Sequence, residues 1–188
     1  MIERESGLSC EELYDRFCEG DSYAFEEIVE NYKDSLFSFI RGIVGDYHEA
    51  EYLIIETFAQ LALSETKFAG RSSLKTYIFT IGRNLALKHV KMLKREAYVS
   101  YDDVMHTLVD SNNTPERAMI QNENNRALYT AMESLKNEYR TVLELIYLED
   151  MSYMEAADTM NKSIDQIGDL VYRAKTALRK KLKQMNFS

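Results

Sequence analysis

The feature that most constrains this chain is an apolar residue at every third or fourth position, interrupted by a single proline. In the stretch AFEEIVENYKDSLFSFIRGIV, Phe25, Ile28, Val29, Tyr32, Leu36, Phe39, Ile40 and Ile43 fall on one stripe. A helix of 3.6 residues per turn puts such a set along one face, whereas a half-buried strand needs a period of two. No sustained period-two alternation exists, and only Pro115 and seven glycines are available as breakers. The expected fold class is all-α.

The same period organises the rest. After Gly45-Asp46, HEAEYLIIETFAQLAL starts a second helix with Leu53, Ile54, Thr57, Phe58 and Leu61 inward. FAGRSS reads as a loop, from which Ser72 or Ser73 can cap a third helix through LKTYIFTIGRNLALKHVKMLKR. Residues 97–117 are polar, aperiodic and hold Pro115, so 97–125 is assigned to a flexible linker. Beyond it ALYTAMESLKNEYRTVLELIYLEDM reads as a helix with Leu128, Met132, Leu135, Val142, Leu143 and Ile146 inward. Two small helical domains, 20–96 and 126–188, follow an acidic leader, 1–19, for which a disordered cap is the plain reading.

The closing stretch carries the most specific local pattern. Ser152 with Glu155, and Ser163 with Gln166, each fit a capping box, so two helices start eleven residues apart. Asn161 between them tolerates the left-handed conformation of a sharp turn. A short helix, a tight turn and a longer helix make a helix-turn-helix, a fold element found both in DNA readers and as plain scaffolding. On the second helix Ile164, Ile167, Val171, Ala174, Leu178 and Leu182 form the expected buried stripe.

Charge separates along the chain. The net charge of −8 argues against a polyanion partner only if it is evenly spread. Residues 67–95 hold Lys67, Arg71, Lys75, Arg83, Lys88, Lys91, Lys94 and Arg95 with no Asp or Glu. Residues 170–188 hold Arg173, Lys175, Arg179, Lys180, Lys181 and Lys183, again with none. Two basic islands in an acidic chain point to two phosphate contacts.

Several classes are excluded. No run of about 18 apolar residues offers a membrane span. The polar N-terminus is unlike a secretory signal, and Cys10 and Cys18 make neither a zinc spacing nor a disulfide framework. A cytoplasmic protein without membrane insertion is expected. His48, His89 and His106 are scattered, with no nucleophile–base pair and no glycine-rich phosphate loop. The chain is expected not to be an enzyme, with no catalytic residue, metal, cofactor or small-molecule substrate.

Four stretches taken together resemble one family. GDSYAFEEIVENY, HEAEYLIIETF, SSLKTYIFTIGRNLALKHVK and SLKNEYRTVLELIYLEDMSYMEAADTMNKSIDQIGDLVYRAK occur in the order seen in extracytoplasmic-function (ECF) sigma factors. The resemblance covers 20–95 and 126–183. It implies an alternative sigma factor that binds bacterial RNA polymerase core enzyme and directs initiation at promoter DNA. The first domain, sigma region 2, would bind core and recognise and melt the −10 element. The second, sigma region 4, would be a four-helix domain reading the −35 element. An anti-sigma factor is a further implied partner.

Carried over by position, AEYLIIETF matches the helix that docks on polymerase, with Glu51, Tyr52, Ile55 and Glu56 as core-binding candidates; Tyr52 and Ile55 replace a usual aspartate and glutamine. For the −10 element the candidates are Phe68, Arg71, Tyr77, Arg83, Asn84, Lys88, Lys91, Lys94 and Arg95. Tyr77 stands for a usual tryptophan and Lys88 for an aspartate, and KFAGRSS occupies the loop that captures an unstacked base. For the −35 element they are Ser163, Asp165, Gln166, Asp169, Tyr172, Arg173, Lys175 and Arg179. The usual basic residues in the first half of that helix are missing across Gly168–Leu170. A carboxylate there can accept from cytosine, and Gln166 can pair with adenine. Two alternatives fit the same residues: a stand-alone helix-turn-helix regulator, or a sigma-derived interaction protein with weakened promoter binding.

Overall fold

The computed structural model describes residues 8–63, 68–99 and 123–185, which contain eight α-helices. They are α1 (Cys10–Cys18), α2 (Ser22–Val44), α3 (Tyr47–Leu63), α4 (Leu74–Val99), α5 (Glu123–Glu133), α6 (Asn137–Tyr147), α7 (Tyr153–Met160) and α8 (Ile164–Gln184). No strand occurs among the described residues. The core of the expected linker, 100–122, lies outside them, as do residues 1–7 and Lys67.

Helix ends follow local chemistry. Asp21 starts α2 by accepting from the N–H groups of Tyr23 and Ala24, and Gly45 ends it in the left-handed region at φ 81°. The Asp46 carboxylate accepts from Glu49 N–H at the start of α3. Ser73 caps α4, its hydroxyl accepting from Thr76 N–H at 3.2 Å.

In the first unit α2, α3 and α4 pack on one another around Ile28, Leu36, Phe39, Ile40, Leu61, Ile78 and Phe79. Gly82 sets the distance between α2 and α4, because a Cβ there would sit 3.0 Å from Leu36 Cδ1 and 3.1 Å from Ile40 Cδ1. In the second unit α6 and α7 flank α8 around Val142, Leu145, Ile167, Val171 and Ala174. The two units also touch, α4 against α7 and α2 against α6, and their buried side chains join in one cluster.

Five expectations change. Residues 10–18 of the leader are not a disordered cap but a helix, with Leu13 and Tyr14 buried against α2. The signal was present: Ser9 and Glu12 form a third capping box, at 2.7 and 3.2 Å. The long helix expected after the linker breaks at Ser134–Lys136 into α5 and α6, and the linker itself loses 97–99 to α4 and 123–125 to α5. Leu128 is a rim residue, since α5 buries Ala127, Ala131 and Met132 instead. On α8 Ile164 is 52% exposed and Leu170 is buried. Ile164 follows the exposed cap Ser163 directly, and the buried stripe runs Ile167, Leu170, Val171 and Ala174.

Candidate nucleic-acid interface

Three faces carry the candidate residues. On α3 the inward set is Leu53, Thr57, Phe58 and Leu61, with the Thr57 hydroxyl donating to Leu53 O at 2.7 Å. That rotation turns Glu51, Tyr52, Ile55 and Glu56 outward together. Tyr52 and Ile55 are 60% and 68% exposed, an apolar strip edged by two carboxylates. Such a strip is what a protein partner covers.

On α4 the spacing 4–3–4 puts Asn84, Lys88, Lys91 and Arg95 along one exposed face, with Lys94 beside it. Arg71 is exposed in the turn before α4, next to Gly70 at φ 66°. Phe68 is half-buried, its ring 5.4 Å from that of Tyr77 and edge-on to Tyr14 at 5.8 Å. Arg83 points elsewhere: its Nη1 donates to the Thr159 carbonyl on α7 at 3.4 Å, and burial pulls its pKa down. Ile81, the neighbour of Gly82, is core.

On α8 Asp165, Asp169, Tyr172, Arg173, Lys175 and Arg179 are exposed, Tyr172 at 74%. Ser163 and Gln166 are occupied by the cap. The Gln166 Oε1 accepts from Ser163 N–H at 2.9 Å, and Ser163 Oγ accepts from Gln166 N–H at 3.2 Å. The Gln166 amide donors remain for a base. The Lys175 ammonium lies 4.7 Å over the Tyr147 ring, and its hydrogen bond with that tyrosine raises its pKa. Thr176, Arg179, Lys180 and Lys183 line a shallow groove further along α8.

The contact between units engages residues to which the sequence reading gave other roles. Lys75 Nζ donates to the Glu149 carbonyl at 2.7 Å and pairs with its carboxylate at 2.9 Å. Glu155 Oε1 accepts from Ser73 Oγ at 2.8 Å and Thr76 Oγ1 at 3.3 Å. The Ser152 cap, then these bonds, hold the Glu155 carboxyl below the usual range. Asn137 Nδ2 donates to the Ile43 carbonyl at 3.3 Å. Acidic groups of the second unit therefore sit on the basic helix of the first. No pattern within either segment signals this pairing.

A helix-turn-helix whose outer helix is exposed, joined to a second unit with a basic helix face, defines a two-part DNA-binding protein. Family comparison identifies which kind. Sigma-70 region 2 matches residues 28–96, and sigma-70 region 4 matches residues 125–178. The chain is 25% identical to the ECF RNA polymerase sigma factor SigW of Bacillus subtilis, covering 88% of this chain and 92% of that one. It is 29% identical to SigM of the same organism, covering 82% and 92%. Its fold resembles the sigma factor RpoE solved with the anti-sigma factor NepR from Bartonella quintana (TM-score 0.71, 24% identity, 85% and 96% covered). The chain belongs to the ECF group of the sigma-70 family. It is an alternative sigma factor that binds RNA polymerase core enzyme, recognises promoter DNA and directs transcription initiation.

Among the described residues no helix is long and apolar enough to cross a membrane, and no group of His, Cys, Asp and Glu could hold a metal.

Proposed function

We propose that the three faces divide the work of initiation. Glu51, Tyr52, Ile55 and Glu56 on α3 dock on core polymerase. Asn84, Lys88, Lys91, Lys94 and Arg95 on α4, with Arg71, Phe68 and Tyr77 before and within its first turn, take the −10 element. Asp165, Asp169, Tyr172, Arg173, Lys175 and Arg179 on α8 take the −35 element. The bond-making chemistry is the polymerase's, and the site of action is the cytoplasm, where polymerase and promoter meet. The observation that carries the reading is the shared exposure of Asn84, Lys88, Lys91 and Arg95 on one face of α4. An unstacked strand needs such cations alongside aromatic faces.

The arrangement of the two units bears on the same reading. Elements centred at −35 and −10 are ~25 base pairs apart, or roughly 85 Å at ~3.4 Å per step. A compact chain of 188 residues has a radius of gyration of about 16 Å. Closed as described, with Lys75, Ser73, Thr76 and Arg83 covered by the second unit, it cannot reach both. Residues 100–122 can span at most ~80 Å when extended. Initiation thus requires the units to part, and the closed form suits capture by an anti-sigma factor.

Run-off transcription with core polymerase on a genomic promoter library tests the whole reading; absence of any specific start would sink it. Glu56→Lys tests the docking face alone. It should weaken association with core in a pull-down while leaving the melting temperature unchanged, since Glu56 is exposed.

A further inference from the structure

Two side chains of α1 hold the segment that leads into α4. The Glu11 carboxylate accepts from Leu74 N–H at 2.8 Å, across 63 residues of sequence. Leu74 is the first residue of α4, where backbone donors lack intrahelical partners and the helix dipole favours an anion. The Tyr14 hydroxyl accepts from Phe68 N–H at 3.4 Å, and its ring meets that of Phe68. Both ends of segment 68–74 are therefore tied to one short helix, with the exposed Arg71 between them.

The helix that does the tying is itself fixed. Leu13 and Tyr14 are buried, Phe17 lies 4.6 Å from Phe25 of α2, and the Ser9–Glu12 box sets its first turn. The hydrogen bond of Glu11 is made to the first residue of α4. A loop ordered before binding does not lose that entropy when a flipped base arrives.

We infer that Glu11 and Tyr14 are positioning residues for promoter opening, holding segment 68–74 in the shape that receives an unstacked −10 base. This rests on the reading above that the segment captures that base. Neither residue touches DNA; each acts through a backbone N–H.

The test uses holoenzyme assembled from the full chain and core polymerase, on fork-junction DNA carrying 2-aminopurine at the flipped −10 position. Glu11→Ala should weaken base capture about five-fold, the equivalent of one ordinary hydrogen bond. Glu11→Gln, which keeps an acceptor oxygen, should recover most of it, and Tyr14→Phe should show a loss of similar size to Glu11→Ala. Core affinity and −35 duplex binding should stay at wild-type values. Phe68→Ala and Tyr77→Ala report on the loop reading itself. If these two impair capture while Glu11→Ala and Tyr14→Phe do not, positioning is overturned and the loop reading stands. If none of the four changes capture, the loop reading fails and takes the inference with it. Equal loss in Glu11→Ala and Glu11→Gln would also overturn it, since the hydrogen bond would not be the agent.

Discussion

Two glycines in helices have opposite meanings. At Gly82 an added Cβ would press on Leu36 and Ile40 in the crossing of α2 with α4. Gly82→Ala should destabilise by ~1–3 kcal/mol, as overpacking does. At Gly168 the nearest atom is Tyr153 Cε2 at 4.0 Å, an ordinary contact. Gly168→Ala should stabilise α8 by up to ~1 kcal/mol, because alanine loses less backbone freedom. Urea titration of the two variants checks both signs. Asp169, exposed on α8, is a different case. If it accepts from a cytosine amino group, Asp169→Ala relaxes preference at one −35 position. A selection of randomised −35 elements decides this, and an unchanged preference with uniformly tighter binding rules base reading out.

At the scale of elements, α6 carries a buried carboxyl where it meets α2. Glu144 packs over Gly42, where a Cβ would lie 3.2 Å from both of its oxygens, and its Oε2 is without a hydrogen-bond partner in the structure. Burial pushes its pKa up to about 8, against the pull of Arg140, 3.8 Å away, and with a further push from Glu149. The folded state thus binds a proton that the unfolded chain has released above the ordinary value of 4.5. Stability from this group is present at acid pH and falls as pH rises towards 8. Glu144→Gln should remove that slope. Its melting temperature should exceed wild type at pH 9 and approach it at pH 5, and parallel curves would contradict the burial argument.

The contact between units yields a prediction about the whole molecule. Ser73 and Glu155 side chains meet at 2.8 Å across it. With Cys10 and Cys18 replaced by serine, a Ser73→Cys/Glu155→Cys pair bridged by a short, reducible bis-thiol cross-linker should trap the closed form. Transcription should be lost on cross-linking and return on reduction; full activity of the cross-linked protein would show that the units need not part. The open form has its own signature. Each of Lys88→Ala and Lys91→Ala should flatten the salt dependence of promoter binding by about one unit of log–log slope, with sequence preference kept.

What the sequence by itself determined is what depends on near neighbours along the chain. The stripe of α2, the inward set of α3 and the two capping boxes around Asn161 all rest on spacings within a few turns. Asn161 does sit in the left-handed region, at φ 51°. The outward residues of α3 and most of those of α8 follow from the same periodicity, so these candidate faces were legible in the sequence. Tertiary structure alone decided which candidates are free. Arg83 belongs to a basic island, yet it faces a carbonyl of α7, and Phe68 is half-buried with its ring set between those of Tyr14 and Tyr77. It also decided that Glu11 reaches Leu74 and that Glu155 reaches Ser73. Those bonds join residues 63 and 82 positions apart. Their strength depends on a distance that local periodicity does not encode, because only the packing of whole helices brings the partners within reach.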